Sequence, residues 1–249
     1  MGSLNPRCYS ERMPGAEKLI HEILPVGMLQ CNCHIMADPE TREALIIDPG
    51  ADAGRILEIV DRHKLKVSSI VITHTHIDHV GGLRRIQQAT GAPVRIHKDD
   101  LDLYRMLEVQ AVMLGMKAPE KVEVEDFLRE GDAVRWGRLN AVVLHTPGHT
   151  EGSICLYMPP EVPHAHPGGP VETTPASILL DEGRLFAGDT LFAGSIGRTD
   201  LWGGSFDAIM RSLTGKLLTL PDTTIVYPGH GAPTTIGKER VSNPFLVGN

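Results

Sequence analysis

Apolar and polar positions along the chain alternate between two rhythms. Residues 30–38 and 43–48 (EALIID) are apolar stretches separated by the turn DPETR, and DPGAD closes the second, which predicts two strands joined by tight turns. From Ala53 to about Lys64, Ile56, Leu57 and Val60 recur at helical spacing. VSSIVITH, 67–74, is a short β-branched run that stops at a polar loop, the pattern of a buried strand delivering side chains to a site. A helix is then expected from about Val80 to Thr90, a strand over APVRIHK, and a longer helix within 98–116. The second half repeats the theme less regularly, with strands near 139–145, 153–158, 177–182 and 184–188, a helix near 205–219 and a strand TTIVY at 223–227.

Strands grouped in runs, with helices between the groups, predict sheets covered by helices on their outer faces. The length of 249 residues suits one such domain over 1–249. Residues 159–176 are rich in Pro and Gly and lack periodicity, so they read as a surface insertion, and His164 and His166 within it as solvated loop residues. The Leu- and Met-rich stretch 101–116 reads as core packing, with a substrate-mouth rim or a dimer contact as the alternatives.

Composition narrows the function classes. Lys plus Arg number 24 against 31 Asp plus Glu, a net charge of −7, which argues against a nucleic-acid binder because phosphate backbones need a basic face. No run reaches the ~18 apolar residues of a membrane span, and MGSLNPRCYSERMPG lacks the apolar centre of a signal peptide. Pro6 stands where a myristoylation motif at Gly2 wants Ser or Thr, so a cytoplasmic protein without membrane partners is expected. Cys8, Cys31, Cys33 and Cys155 do not make a disulfide framework or a zinc finger and read as plain thiols.

The twelve histidines are the anomaly. THTHIDHVGG, 73–82, offers His74, His76, Asp78 and His79; His74 and His76 point the same way in extended backbone, and the turn that follows can swing Asp78 and His79 toward a neighbouring ion. TPGHTEGS presents His149, FAGDTLF presents Asp189 and YPGHG presents His230, each where a predicted strand gives way to a loop. Five imidazoles and two carboxylates can supply one site of His74, His76 and His149, a second of Asp78, His79 and His230, and a bridging Asp189. Nitrogen and oxygen ligands without thiolate fit Zn, Fe or Mn.

This set of motifs, HxHxDH then TPGHT then GDT then PGH across residues 30 to 230, resembles the metallo-β-lactamase superfamily. The resemblance implies an α/β fold, an αββα four-layer sandwich, with a dinuclear site at one edge of the two sheets and the seven ligands as assigned. The common β-lactamases put Cys where Asp189 stands, and flavodiiron proteins put Glu where His76 stands. GDTLFAGSIGRTDLWGGS and TTIGKERVSNPF look more closely like the small, single-domain glyoxalase II (hydroxyacylglutathione hydrolase) branch. The larger glyoxalase II enzymes carry a basic residue and, two positions later, an aromatic in the loop after GDTLF; here the pair is Arg198 and Asp200, so only the basic half is kept.

The expected reaction is hydrolysis of a small-molecule thioester, S-2-hydroxyacylglutathione first among them. A pair of divalent cations, zinc ahead of iron or manganese, lowers the pKa of bound water from ~15.7 to about 7, and a thiol of pKa ~8.5 departs without a strong acid. Asp78 and Asp189 then have catalytic as well as ligating roles. An iron-dependent persulfide dioxygenase, similar over GRTD at 197–200, is the alternative, followed by a hydrolase of another ester or lactone. A binding module without catalysis has no use for all seven ligands. Arg198, in a glycine-rich loop, can pair with a substrate carboxylate or internally with Asp200.

Overall fold

The computed structural model describes residues 19–124, 126–160 and 182–247. The first sheet is built from β1 (Ile20–Val26), β2 (Cys31–Ala37), β3 (Glu43–Ile47), β4 (Lys66–Val71), β5 (Val94–His97) and β6 (Asp126–Leu128), in that spatial order. Its first three strands form an antiparallel meander; β3 to β6 run parallel. Parallel neighbours need crossovers. These are α1 (Ala53–Arg62), then α2 (Ile77–Val80) and α3 (Leu83–Thr90), then α4 (Leu101–Arg105) and α5 (Leu107–Leu114).

The second sheet contains β7 (Ala133–Trp136), β8 (Leu139–His145), β9 (Ile154–Met158) and β10 (Arg184–Gly188). After the small hairpin of β11 (Leu191–Phe192) and β12 (Ser195–Ile196), α6 (Phe206–Gly215) crosses to β13 (Ile225–Pro228), followed by β14 (Thr234–Thr235) and α7 (Ile236–Ser242). The spatial order is β14-β13-β10-β9-β8-β7, so each half of the chain supplies one six-stranded sheet.

Side-chain alternation along the strands sorts the core into three apolar layers. In β2, Cys33, Ile35 and Ala37 face α1 and α3, whereas Met36 joins Trp136, Val143, Leu156 and Phe186 between the sheets. In β9, Ile154, Leu156 and Met158 face that middle layer and Cys155 faces Ile209, Leu213 and Ile236 of α6 and α7. Three layers of burial between four of structure are the αββα sandwich that the motifs imply. An ion pair stitches its sheets at one end: Arg138, in the β7–β8 turn, donates from its backbone N and Nε to Oδ2 of buried Asp38 (2.8 and 2.9 Å) and from a terminal nitrogen to Oδ1 (2.7 Å).

Several expected elements change shape. The helix expected from Val80 to Thr90 starts at Ile77 and breaks into α2 and α3, because Gly81 and Gly82 press against the carbonyls of Gly50 and Pro49, where no side chain fits. The helix expected within 98–116 becomes a 3₁₀ turn (Lys98–Asp100), α4 and α5, parted at Met106. The one expected over 205–219 ends at Gly215 and finishes as a 3₁₀ turn. Six strands and α7 go beyond the expected set. β1 carries Pro25, tolerated on an edge strand; β6, β7, the β11–β12 hairpin and β14 hold two to four residues per strand, too few to show a period. The strand expected at 177–182, the greater part of the insertion at 159–176 with His164 and His166, and Cys8 lie outside the described residues. Cys31, Cys33 and Cys155 are buried free thiols, as expected, and burial raises all three pKa values, that of Cys31 to about 12.

Candidate metal centre

The seven side chains singled out by the motifs meet at one end of the two sheets. His74, His76, Asp78 and His79 lie on the loop after β4 and in α2; His149 lies on the turn between β8 and β9, Asp189 just past β10, and His230 just past β13. A strand end is rigid, so each side chain leaves the sheet in a fixed direction. Nε2 of His149 stands 3.2 Å from Nε2 of His74 and 2.9 Å from Nδ1 of His76. Nε2 of His230 is 3.2 Å from Oδ2 of Asp78, and Nε2 of His79 is 3.8 Å from the same oxygen. Asp189 stands between these groups, its Oδ2 3.6 Å from His149 and 3.7 Å from His230 and its Oδ1 3.6 Å from Nε2 of His79.

The partners of the imidazoles decide which nitrogens are free. His149 donates from Nδ1 to the carbonyl of Arg198 (2.8 Å), His230 to that of Leu29 (3.0 Å) and His79 to Oδ2 of Asp48 (2.9 Å). Thr73 donates its hydroxyl to Asp48 (2.6 Å), which leaves that oxygen to accept from Nδ1 of His74 (3.2 Å). Four rings are thereby locked as Nδ1–H tautomers with Nε2 lone pairs turned inward. Burial holds His74 neutral, well below its usual range, and with His149 pushes His76 down to about 3. Burial raises the Asp78 carboxyl, but the His79 ring and the hydrogen bond from His230 pull it well below the ordinary carboxylate range.

Converging lone pairs and carboxylates need a cation between them. Nε2 of His79 and Oδ1 of Asp189 are buried without any hydrogen-bond partner, as is Nε2 of His76 on the far edge of its ring. The ligand atoms of His74, His76 and His149, of Asp78, His79 and His230, and of His74, His79 and Asp189 each fall within 4.8 Å of one another. These residues fit a divalent metal: five imidazole nitrogens and two carboxylates, the donor types such ions take, brought together without a thiolate. The described residues include one more such group, His97, Asp99 and His145, but its two rings stack at 3.9 Å and 13°, so their lone pairs run parallel, and Nε2 of His145 is already bonded to the carbonyl of Glu151.

A supporting shell carries residues that the motifs did not mark. Asp48 binds Thr73 and His79; buried Asp100 accepts from the backbone N of Thr75 and of Gly152 (2.7 Å each), tying the first histidine loop to the His149 turn. Gln110 accepts from the N–H of Ile77 and donates to the carbonyl of Thr75. Asn32 donates to the carbonyls of Pro228 and Gly231 on either side of His230. The signal for Asp48 was available: it ends an apolar strand before Pro-Gly, as Asp189 ends FAG before its loop. Gly229 passes so close that a Cβ there would collide with Oδ1 of Asp189. The Arg198 guanidinium makes a two-pronged contact with Asp200, 2.8 Å on each side, with both side chains exposed.

Residues 26–162 and 158–230 match the family model described as the metallo-beta-lactamase superfamily. An uncharacterized protein of Mycobacterium leprae is 39% identical over 231 residues, covering 90% of this chain and 97% of its own. The Haemophilus influenzae protein named hydroxyacylglutathione hydrolase GloC is 35% identical over 227 residues, 90% of this chain and 97% of that one. Among solved structures, the chain superposes on BLEG-1 B3 metallo-beta-lactamase with a TM-score of 0.77 at 32% identity, covering 92% of this chain and 100% of the other. TTHA1623 in a di-iron-bound form gives 0.72 at 34% identity, with 90% and 99% covered. No helix among the described residues is long and apolar enough to cross a membrane.

Proposed function

This chain belongs to the metallo-β-lactamase superfamily, and from that premise we propose that it is a dinuclear hydrolase of the hydroxyacylglutathione hydrolase type, cleaving S-2-hydroxyacyl thioesters. The observation that carries the reading is the position of Asp189, one carboxylate spanning two groups of inward-facing imidazoles. His74, His76 and His149 would hold one divalent cation, Asp78, His79 and His230 the other, and Asp189 both; zinc is the first candidate, with iron next because a 34% identical neighbour is titled di-iron-bound. When bound, such ions supply a Lewis acid for the carbonyl oxygen and an activated water near neutral pH.

The chain's own groups set the leaving-group preference. The Nδ1 protons of His74, His79, His149 and His230 are all committed to protein oxygens, so none is available as a general acid. A thiol of pKa ~8.5 leaves as thiolate without one, whereas an amine or alkoxide would not. This ranks thioesters above lactams for this chain, although BLEG-1 carries the name of a lactamase. The relative named hydroxyacylglutathione hydrolase supports the same choice.

The test is a steady-state assay with S-D-lactoylglutathione on protein whose bound metals have been quantified. Turnover that tracks the content of two metals per chain supports the reading. Absent thioester turnover, combined with oxygen consumption on glutathione persulfide by iron-loaded protein, transfers the chain to the persulfide dioxygenases.

A further inference from the structure

A cavity of about 530 Å³ has the histidine loop as one wall: Ile77 and Gly81 line it, the residues before Asp78 and after Val80 of α2. Gly50 completes that wall, packed so tightly on the backbone carbonyl of Asp78 that a Cβ there would collide with it. The volume lies within the ~300–1,000 Å³ range of small-molecule sites. Its far side carries Arg84, Arg85 and Lys117.

The charges around this cavity are not balanced. Of its two acids, Asp52 is engaged by the Gly27 N–H (3.0 Å) and Arg55 (3.4 Å), and Glu120 reaches only Arg84, at 3.9 Å, from a largely exposed position. Among the described residues, Arg85 and Lys117 have no ion-pair partner. By contrast, a smaller cavity of about 150 Å³ by the His149 turn is lined by Asp99, Asp102 and Glu151, with buried Asp100 at its base. Two of the cavity cations are thus unneutralised on a chain of net charge −7, in a cavity walled by the segment that carries Asp78 and His79, while the pocket by the His149 turn is acidic.

We propose that the basic cavity seats the anionic arm of the thiol carrier, so that an acidic, carboxylate- or phosphate-bearing thiol is held against Arg84, Arg85 and Lys117 while its thioester lies at the metal ligands. Guanidinium forks match carboxylate and phosphate geometry, and the acidic pocket repels the same arm, which fixes the direction in which the substrate lies. The inference rests on the thioesterase reading and adds the feature that reading lacks. Arg198, the cation the sequence nominates for the carrier, already has its guanidinium on Asp200.

Kinetics with three thioesters of one hydroxyacyl group test it: on glutathione, on coenzyme A, and on the neutral carrier N-acetylcysteamine. In Arg85→Ala/Lys117→Ala, both on exposed positions, KM for the preferred anionic substrate should rise about 10-fold, the factor of one charge-assisted hydrogen bond, with kcat unchanged and the neutral thioester unaffected. The substrate that loses most identifies carboxylate or phosphate as the recognised group. Equal losses on all three thioesters, or a KM increase confined to Arg198→Ala, would overturn the proposal. If no thioester is turned over, calorimetric binding of S-hexylglutathione and of coenzyme A to the same proteins still decides it. Binding weakened by the double substitution supports an anion seat even though the reaction is another, and binding equal in both proteins, or to neither, rejects the seat independently of catalysis.

Discussion

Asp189 has more consequences than any other single side chain, because its two oxygens face three imidazoles from three different loops. If two cations are bound as proposed, one negative charge there would offset their repulsion, so Asp189→Ala should empty both positions rather than one. Metal analysis checks this, and two tightly held ions with full activity would contradict the bridging role. The seven candidate ligands were legible in the sequence because each combines a rare residue type with a strand-end position. Asp48 carried the same strand-end signal as Asp189 but lay outside the motif set, and Asp100, Gln110 and Asn32 carried none, since a lone carboxylate or amide has no spacing to betray it; only folding shows that all four hold the backbone and rings of the ligand loops. Partners of this kind are typically worth 10–100-fold in metal affinity.

At the scale of elements, long runs with a clear period were readable and short or interrupted ones were not. β2, β3, β4, β8, β9 and β10 stand where their apolar runs predict them, within a few residues. Gly81–Gly82 and Met106 divide helices whose periodicity alone runs through the break. The tail TTIGKERVSNPF, notable in sequence only for its resemblance, has a physical role: buried Glu239 accepts from Gly194 N–H and the Thr234 hydroxyl, and Asn243 donates to the Ser195 carbonyl, so α7 pins the loop after Asp189. The Asp38–Arg138 clamp joins the β2–β3 turn to the β7–β8 turn. Hydrogen bonds from Arg138, opposed by burial, hold Asp38 well below the ordinary carboxylate pKa. A depressed carboxylate stabilises the fold above its unfolded pKa of ~3.9 and loses that contribution as pH falls through it toward the folded value. Asp38→Asn should therefore lower stability at pH 7 by about 2–4 kcal/mol in denaturant titrations, and the gap to wild type should narrow below about pH 4.

For the molecule as a whole, the layer between the sheets carries an acid sensitivity of the opposite origin. His34 is buried there against Phe186 and Tyr227, and burial pushes its pKa down to about 4. The unfolded chain takes up a proton near pH 6.5 that the folded chain refuses, so stability falls as pH drops below that value, by up to about 1.4 kcal/mol per pH unit. Chelator-treated protein should show this loss between pH 6.5 and 4, shared with His21, His74 and His76, which are also held low. His34→Gln should make the slope shallower by the share of one histidine; an unchanged slope would place the acid sensitivity elsewhere. The division of the chain into one sheet per half bears on biosynthesis as well. Asp78 is made with the first half, whereas the His230 beside it arrives 152 positions later, about 8–30 s at usual elongation rates. A nascent chain can assemble its first sheet in that interval while it holds only His74, His76, Asp78 and His79 of the seven ligands; His149, Asp189 and His230 follow with the second half. Metal then enters as a late lock across two docked halves rather than as a nucleus. A cell short of metal would accumulate chains with both sheets formed and docked through their shared apolar layer but with the ligand loops at their end unlocked and open to proteolysis.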